Sequence, residues 1–340
     1  MDSTMLSEAR SAPKVVEGQL ALDEDLYQLL GSALRATHPG GVVTVARGSS
    51  DHAAGYLGYL VSSRTGRLVT SLPMSLVTLY HAPLLAEGMV AIAISQSGQS
   101  PDLVEPIRSL RASGATTVAL VNEDATPLAG AAEWVIPLRA GPERAVAATK
   151  SFVASLVAGA RLAGHWCELP ALVGALRHLP GALEEALHQD WSVAVEALAQ
   201  TERLMVISRG LGLPIAEEAA LKLKEACGIQ AEAVSAAEAR HGPQALIGEG
   251  YPLLVFATRG PAQPDLLGLA AEMRMRNARV LLATPADVPG RDLTLVTTGI
   301  EELDPVTAIA SFYPVVDALA RARGRDPDAP RYLTKVTTTR

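Results

Sequence analysis

Cysteine is nearly absent. The two present, Cys167 and Cys227, stand far apart and in no paired motif. That argues against a disulfide framework and fits a reducing cytoplasm. Long hydrophobic runs are also missing: every apolar stretch is broken by Gly, Ser, His or charge before it could span a bilayer, which excludes a membrane helix. No block of like charge occurs, and the net charge is -7, so nothing favours nucleic acid or an anionic membrane surface. The opening MDSTMLSEARSAPKVVEGQL has early acidic residues and no signal-type apolar core; it predicts a helix, a break at Pro13, and a second helix. The phosphate-loop pattern G-x-x-x-x-G-K-[ST] is absent, and Arg209-Gly210-Leu211-Gly212 is only a fragment of a dinucleotide fingerprint. The seven histidines show no zinc-type spacing with the cysteines, so neither metal nor cofactor is expected.

What is present is an ordinary globular composition, 49% hydrophobic and 19% charged over 340 residues, which excludes wholesale disorder and suits about two domains. Short β-branched runs alternate with long helical patterns. Val42–Ala46, Met89–Ile94, Thr117–Val121 and Trp134–Leu138 read as buried parallel strands. The pattern returns at Leu204–Ser208, Pro252–Ala257, Arg279–Ala283 and Leu293–Thr297. The halves align at a nearly constant offset: ARGSSDHAAG at Ala46 with SRGLGLPIAE at Ser208, YHAP at Tyr80 with RHGP at Arg240, AISQSG at Ala93 with FATRG at Phe256. Each half closes with a long helix, Thr149–Ala163 and Pro305–Arg323. The expectation is an α/β protein of two pseudo-symmetric, doubly wound parallel-sheet domains with a cleft between them. Its segments are a helical start (1–35), a first domain (36–167), a leucine- and alanine-rich connector (168–200) broken at Pro170 and Pro180, a second domain (201–325) and a tail (326–340).

Five places carry candidate chemistry, each with a plainer alternative. Ser95-Gln96-Ser97-Gly98-Gln99-Ser100-Pro101 joins a strand to a helix bearing Leu103, Ile107 and Leu110 on one face. Ser100 suits an N-cap and Pro101 the first helical position. Such a turn offers unpaired N–H groups, a dipole end and hydroxyls that hold a phosphate without lysine; alone, it is also an ordinary capped turn. Arg47-Gly48-Ser49-Ser50 follows another strand, and ligands of doubly wound sheets sit at the carboxyl ends of strands; alone, it is merely a turn. On the helix Pro214–Cys227, Lys222 shares a face with Glu218 and Glu225. A solvated ion-pair row is the plain reading; in a cleft, Glu225 would shuttle a proton. Arg240-His241-Gly242-Pro243 sets a histidine in a turn, as acid–base or as simple surface. The tail Pro330–Val336 contains Lys335, which would supply charge or an amine unless the terminus frays.

Together these motifs, with VAATKSF at Val146, ALKLKEA at Ala220, RHGPQALI at Arg240 and DAPRYLTKV at Asp328, resemble the tandem two-domain branch of the sugar isomerase (SIS) family from about Gly41 onward. The resemblance implies that Ser95, Gln96, Ser97 and Ser100 bind a sugar phosphate and that Ser49 and Ser50 contact it. It implies that Glu225 moves a proton between C1 and C2, and that His241, lent by a neighbouring subunit of a homodimer, opens the ring. Lys335 matches an imine-forming tail lysine and Lys222 a lysine beside the reacting oxygens. Val146 to Thr149, with Glu143 ahead, match a sugar-lining loop in which the family's synthase has a serine where Ala148 stands. The family's glutamine-hydrolysing domain is not found ahead of the first strand, so the expected activity is that of a glucosamine-6-phosphate deaminase. A phosphosugar isomerase, a fructosamine-6-phosphate deglycase and a non-catalytic sugar-phosphate sensor are the alternatives. The expected partner is a phosphorylated amino sugar, with no nucleic acid and no membrane.

Overall fold

The computed structural model describes residues 2–335; the end of the expected tail, Val336 included, lies outside the described residues. The chain divides into two compact units, and each takes in short stretches distant in sequence. The first-sheet unit holds residues 14–143, 150–177 and 334–335; the second-sheet unit holds residues 2–13, 144–149 and 178–333.

The first sheet has five strands, β1 (Val42–Val45), β2 (Val69–Ser71), β3 (Val90–Ser95), β4 (Thr116–Val121) and β5 (Trp134–Pro137), in the order β2-β1-β3-β4-β5. All its pairings are parallel. β1 and β3 are buried at every position, as expected of strands covered by helices on both faces. α4 (Ser49–Thr65), α6 (Pro101–Ala112) and the short α7 (Pro127–Ala131) pack on these strands, with α5 (Ser75–Thr78) against α6, while α8 (Lys150–Trp166) packs on α4 and on α3 (Glu24–Ala36). α8 is buried on nearly every face, so it behaves as a core helix rather than an amphipathic one.

The second sheet repeats the design with β6 (Arg203–Ser208), β7 (Gln230–Ser235), β8 (Pro252–Phe256), β9 (Arg279–Pro285) and β10 (Leu293–Leu295), all parallel, in the order β10-β9-β8-β6-β7. Counted from its own first strand, this is the same order as the first sheet. α12 (Leu213–Lys222), α14 (Gln263–Met275) and the buried α15 (Asp304–Ala322) pack around it. The two parallel sheets with flanking helices agree with the expected α/β class.

Three details differ from the sequence reading. β2 and β7 carry no continuous apolar run, because they are edge strands with exposed positions. The N-terminal break falls at Ser11, between α1 (Thr4–Arg10) and α2 (Ala12–Leu20), not at Pro13. Pro13 sits in the first turn of α2, where its missing N–H has no helical partner to lose. In the connector, Pro170 opens α9 (Pro170–Leu176) and Pro180 lies in the first turn of α10 (Leu179–Leu187), followed by α11 (Ser192–Leu198).

Candidate functional site

The first-sheet unit places both serine turns at the carboxyl edge of neighbouring strands, since β1 and β3 are hydrogen-bonded along their length. Ser95 ends β3, and its hydroxyl accepts from the Gly98 N–H at 3.0 Å. The Ser97 hydroxyl accepts from the Gln99 N–H at 3.3 Å, and the Gly98 carbonyl accepts from the Leu128 N–H at 3.1 Å. Gly98 has φ +61°, and a Cβ there would collide with Thr126; only glycine completes this turn. Ser100 stands at the N-cap of α6 with extended backbone, but its side chain makes no capping bond, contrary to the simple capping role. Pro101 takes the first helical position as expected. Gln96, Ser97 and Ser100 are half-buried. Ser49 and Ser50 prove to be the first residues of α4 rather than a free turn, with Gly48 ahead of them at φ +52°. Arg47 ties the two turns together: its Nε lies 3.1 Å from Oδ2 of Asp102 in the first turn of α6.

Lys335 belongs to this unit. Its Nζ lies 3.3 Å from Oε2 of Glu143, a fully buried carboxylate that also accepts from the Ser151 N–H at 3.2 Å and from the Ser151 hydroxyl. The tail lysine is thus anchored rather than frayed, and Glu143 fixes it.

The second-sheet unit holds the remaining titratable candidates. α12 carries Glu218 and Lys222, and a single π-helical turn, Leu223–Cys227, follows without interruption. Lys222 Nζ lies 3.3 Å from Glu218 Oε1 and 2.7 Å from Glu225 Oε2. The side chains of Lys222 and Glu218 are 1% and 0% exposed, and that of Glu225 19%. The solvated-row reading of this face is therefore wrong: the cation is buried between two carboxylates. Burial alone would lower the Lys222 pKa, but Glu218 and Glu225 outweigh it and hold the ammonium above its ordinary range. Wide π turns occur mostly as single insertions and often at functional positions. Here the turn ends at Gly228 in left-handed conformation, and Arg323 caps it, its Nε donating to the Cys227 carbonyl at 2.9 Å.

His241 is exposed, in the turn after the short helix α13 (Ala236–Ala239) that follows β7. Its neighbour Arg240 donates to Asp265 at 2.9 Å, and Arg209 donates to the same carboxylate at 2.8 Å. The Arg209 hydrogen bond, with Arg240 behind it, holds Asp265 below its ordinary pKa against the effect of burial. Val146 and Ala148 are half-buried in the segment 144–149. Glu8 of α1 pins this segment, accepting from the Arg144 N–H at 2.6 Å and the Ala145 N–H at 3.1 Å. At the segment's far end the Tyr313 hydroxyl reaches the Thr149 carbonyl at 3.5 Å. Sequence reasoning missed Glu8. The available signal was an acidic residue among the buried Met5, Leu6 and Ala9.

The SIS domain model matches residues 38–163 and 197–287. The chain belongs to the SIS domain family. Among SIS relatives, a glutamine–fructose-6-phosphate aminotransferase [isomerizing] of Thermus thermophilus is 34% identical over 98% of this chain and 58% of its own length. Its counterpart in Aeropyrum pernix is 36% identical over 91% of this chain and 53% of its own. The chain thus spans little more than half of these relatives. A solved structure from Silicibacter pomeroyi DSS-3, provisionally named a phosphosugar isomerase, is 39% identical with TM-score 0.90, covering 96% of this chain and 100% of that one. The glucosamine-6-phosphate deaminase of Thermotoga maritima shares the SIS fold at TM-score 0.77 and 21% identity, over 99% of this chain and 100% of that one. No helix among the described residues is long and apolar enough to cross a membrane.

Proposed function

We propose that this SIS protein is an amino-sugar-phosphate deaminase that converts glucosamine 6-phosphate and water to fructose 6-phosphate and ammonia. The observation that carries the reading is the Glu218–Lys222–Glu225 row. A buried, fully charged lysine holds one oxygen of a carboxylate that stays partly open to solvent. That arrangement suits a base required to be ionised at neutral pH and to take a proton from carbon. Similarity to relatives named for both aminotransfer and isomerisation supports an amino-sugar substrate.

The Ser95–Ser100 turn binds the phosphate through N–H groups and hydroxyls, with Ser49 and Ser50 as further contacts and Val146 and Ala148 lining the sugar. His241, lent across a homodimer, protonates the ring oxygen and opens the pyranose. Glu225 removes the C2 proton of the open aldehyde, giving an enolamine, and delivers a proton to C1. The C2 imine that results is attacked by water and ammonia leaves. Lys222 and Lys335 stabilise negative charge as it develops on oxygen.

The test is incubation with glucosamine 6-phosphate in D2O. Ammonia and fructose 6-phosphate are expected in equal amounts, with at most one deuterium per molecule, at C1. Ketose formation from an aldose phosphate without ammonia would replace the deaminase reading by simple isomerisation. Ammonia from a fructosamine 6-phosphate alone would replace it by deglycation. Binding of the phosphosugar with no change over hours would make the protein a sensor.

A further inference from the structure

We propose that Arg47 is a phosphate-binding residue of the substrate site, its guanidinium held by Asp102 so that both Nη groups face the dianion on the Ser95–Ser100 turn. The inference rests on the phosphate-binding reading of that turn.

The placement follows from the sheet. Arg47 leaves β1 and Ser95 leaves β3, and the two strands are neighbours, so these residues emerge side by side. Asp102 is the second residue of α6, the helix that the serine turn opens. Its carboxylate is 3% exposed, whereas the Arg47 side chain is 58% exposed. A guanidinium has five N–H donors in one plane. Arg47 bonds through Nε, and no bond among the described residues engages Nη1 or Nη2. A buried carboxylate thus fixes the plane of a fork whose outer edge stays open.

The turn itself has need of such a donor. It contains no positively charged side chain, and its own hydroxyls occupy two of its N–H groups, Gly98 to Ser95 and Gln99 to Ser97. A phosphate dianion is therefore left with the remaining N–H groups, the helix end and whatever cation lies alongside. The second sheet shows the same bridge beside a different turn. Arg209 occupies the same place after β6 and bonds Asp265 in the first turn of α14, where Arg240 joins it. The turn there is Thr258-Arg259-Gly260-Pro261, without serines. An Arg–Asp bridge is thus part of the duplicated scaffold. In the first unit it stands with an open guanidinium edge beside a hydroxyl-rich turn.

The test is calorimetric titration of the full chain with inorganic phosphate and with glucosamine 6-phosphate, using Arg47→Met, Arg47→Lys and the double variant Arg47→Met/Asp102→Asn. The double variant removes the buried carboxylate's charge together with the cation and leaves the net charge of the pair unchanged, so it separates direct contact from long-range field. Phosphate affinity is expected to fall about 10- to 100-fold in both Met-containing variants, as for loss of a charged hydrogen-bond donor. Arg47→Lys should recover part of it. In turnover, KM should rise with kcat unchanged. Wild-type affinity in the double variant overturns the proposal, because the defect of Arg47→Met would then come from Asp102. Wild-type phosphate affinity in all three variants overturns it as well, leaving the reading of the turn intact. If the wild-type chain itself binds no phosphate and Ser97→Ala changes nothing, the reading of the turn fails and the proposal with it.

Discussion

The two sheets share one strand order, yet the turns at their carboxyl edges are built from different materials. After β3, hydroxyls and glycine shape a turn without charge, and Gly98 is locked between Leu128 and Thr126. After β8, the equivalent stretch is filled by longer side chains. Arg259 pairs with Asp304 at 3.2 Å, and the Gln263 amide donates to the Ala257 carbonyl at 3.1 Å. The helices after the first strand of each sheet also diverge. α4 begins with two serines, whereas α12 buries a lysine between carboxylates and widens into a π turn. Strand topology determines where a ligand edge forms. Residue type then differs between the copies, and the proposed function gives anion binding to the first and proton transfer to the second.

The sharpest way to break this contrast is to compare Glu225→Gln with Ser97→Ala in steady-state kinetics. Glu225→Gln should cost about 10²- to 10⁴-fold in kcat, the usual worth of a general base, with phosphate binding unchanged. Ser97→Ala should raise KM about tenfold, one hydrogen bond's worth, with kcat nearly intact. An inverted pattern would reverse the assignment of the two copies. Next in size is charge burial. Lys222→Met leaves Glu218 without its buried cation and should destabilise the protein by about 3–5 kcal/mol in urea unfolding. The double variant Lys222→Met/Glu218→Gln should regain much of that.

Matched glycines give a smaller test. Gly98→Ala adds left-handed strain and a clash with the branched side chain of Thr126, about 2–4 kcal/mol together. Gly228→Ala meets only the movable end of Arg325 and should cost about 1–2 kcal/mol. Equal losses would show that the two turns are equally rigid. The smallest effect concerns pH. In the first-sheet unit, burial holds the His165 pKa below its ordinary value of 6.5, with Arg161 and Arg35 adding to it against Glu24. A depressed folded-state pKa means the neutral ring stabilises the fold above the unfolded-state value, and that stability drains away as pH falls through the folded-state value. His165→Gln should therefore flatten the decline in Tm between about pH 7 and 5. An unchanged slope would leave the decline to other groups, Glu24 among them.

Legibility in the sequence tracked burial. Eight of the ten strands announce themselves as apolar, often β-branched runs because helices cover the faces of a parallel sheet. β2 and β7 do not, because edge strands tolerate Ser, Gln and Glu at exposed positions. The serine turn was legible because its glycine and hydroxyls act locally. The π turn at Glu225 was not: LKLKEAC scans as ordinary helix, and the widening appears only where Gly228 and Arg323 hold its end. Nor could spacing show that Lys222 is buried, since the same i,i+3 and i,i+4 pattern serves a solvated helix face.

The sequence by itself determined the duplicated α/β plan, the glycine-dependent turn after β3 and the choice of candidate acid–base residues. These depend on hydrophobic period and on backbone conformations that neighbouring residues dictate. Tertiary structure alone decided that Glu8 holds the segment 144–149, that Glu143 holds Lys335, and that Asp102 holds Arg47. In each case a side chain meets a partner 55 to 192 residues away. Contacts at that separation are set by how the core packs, because no local pattern in the chain encodes them.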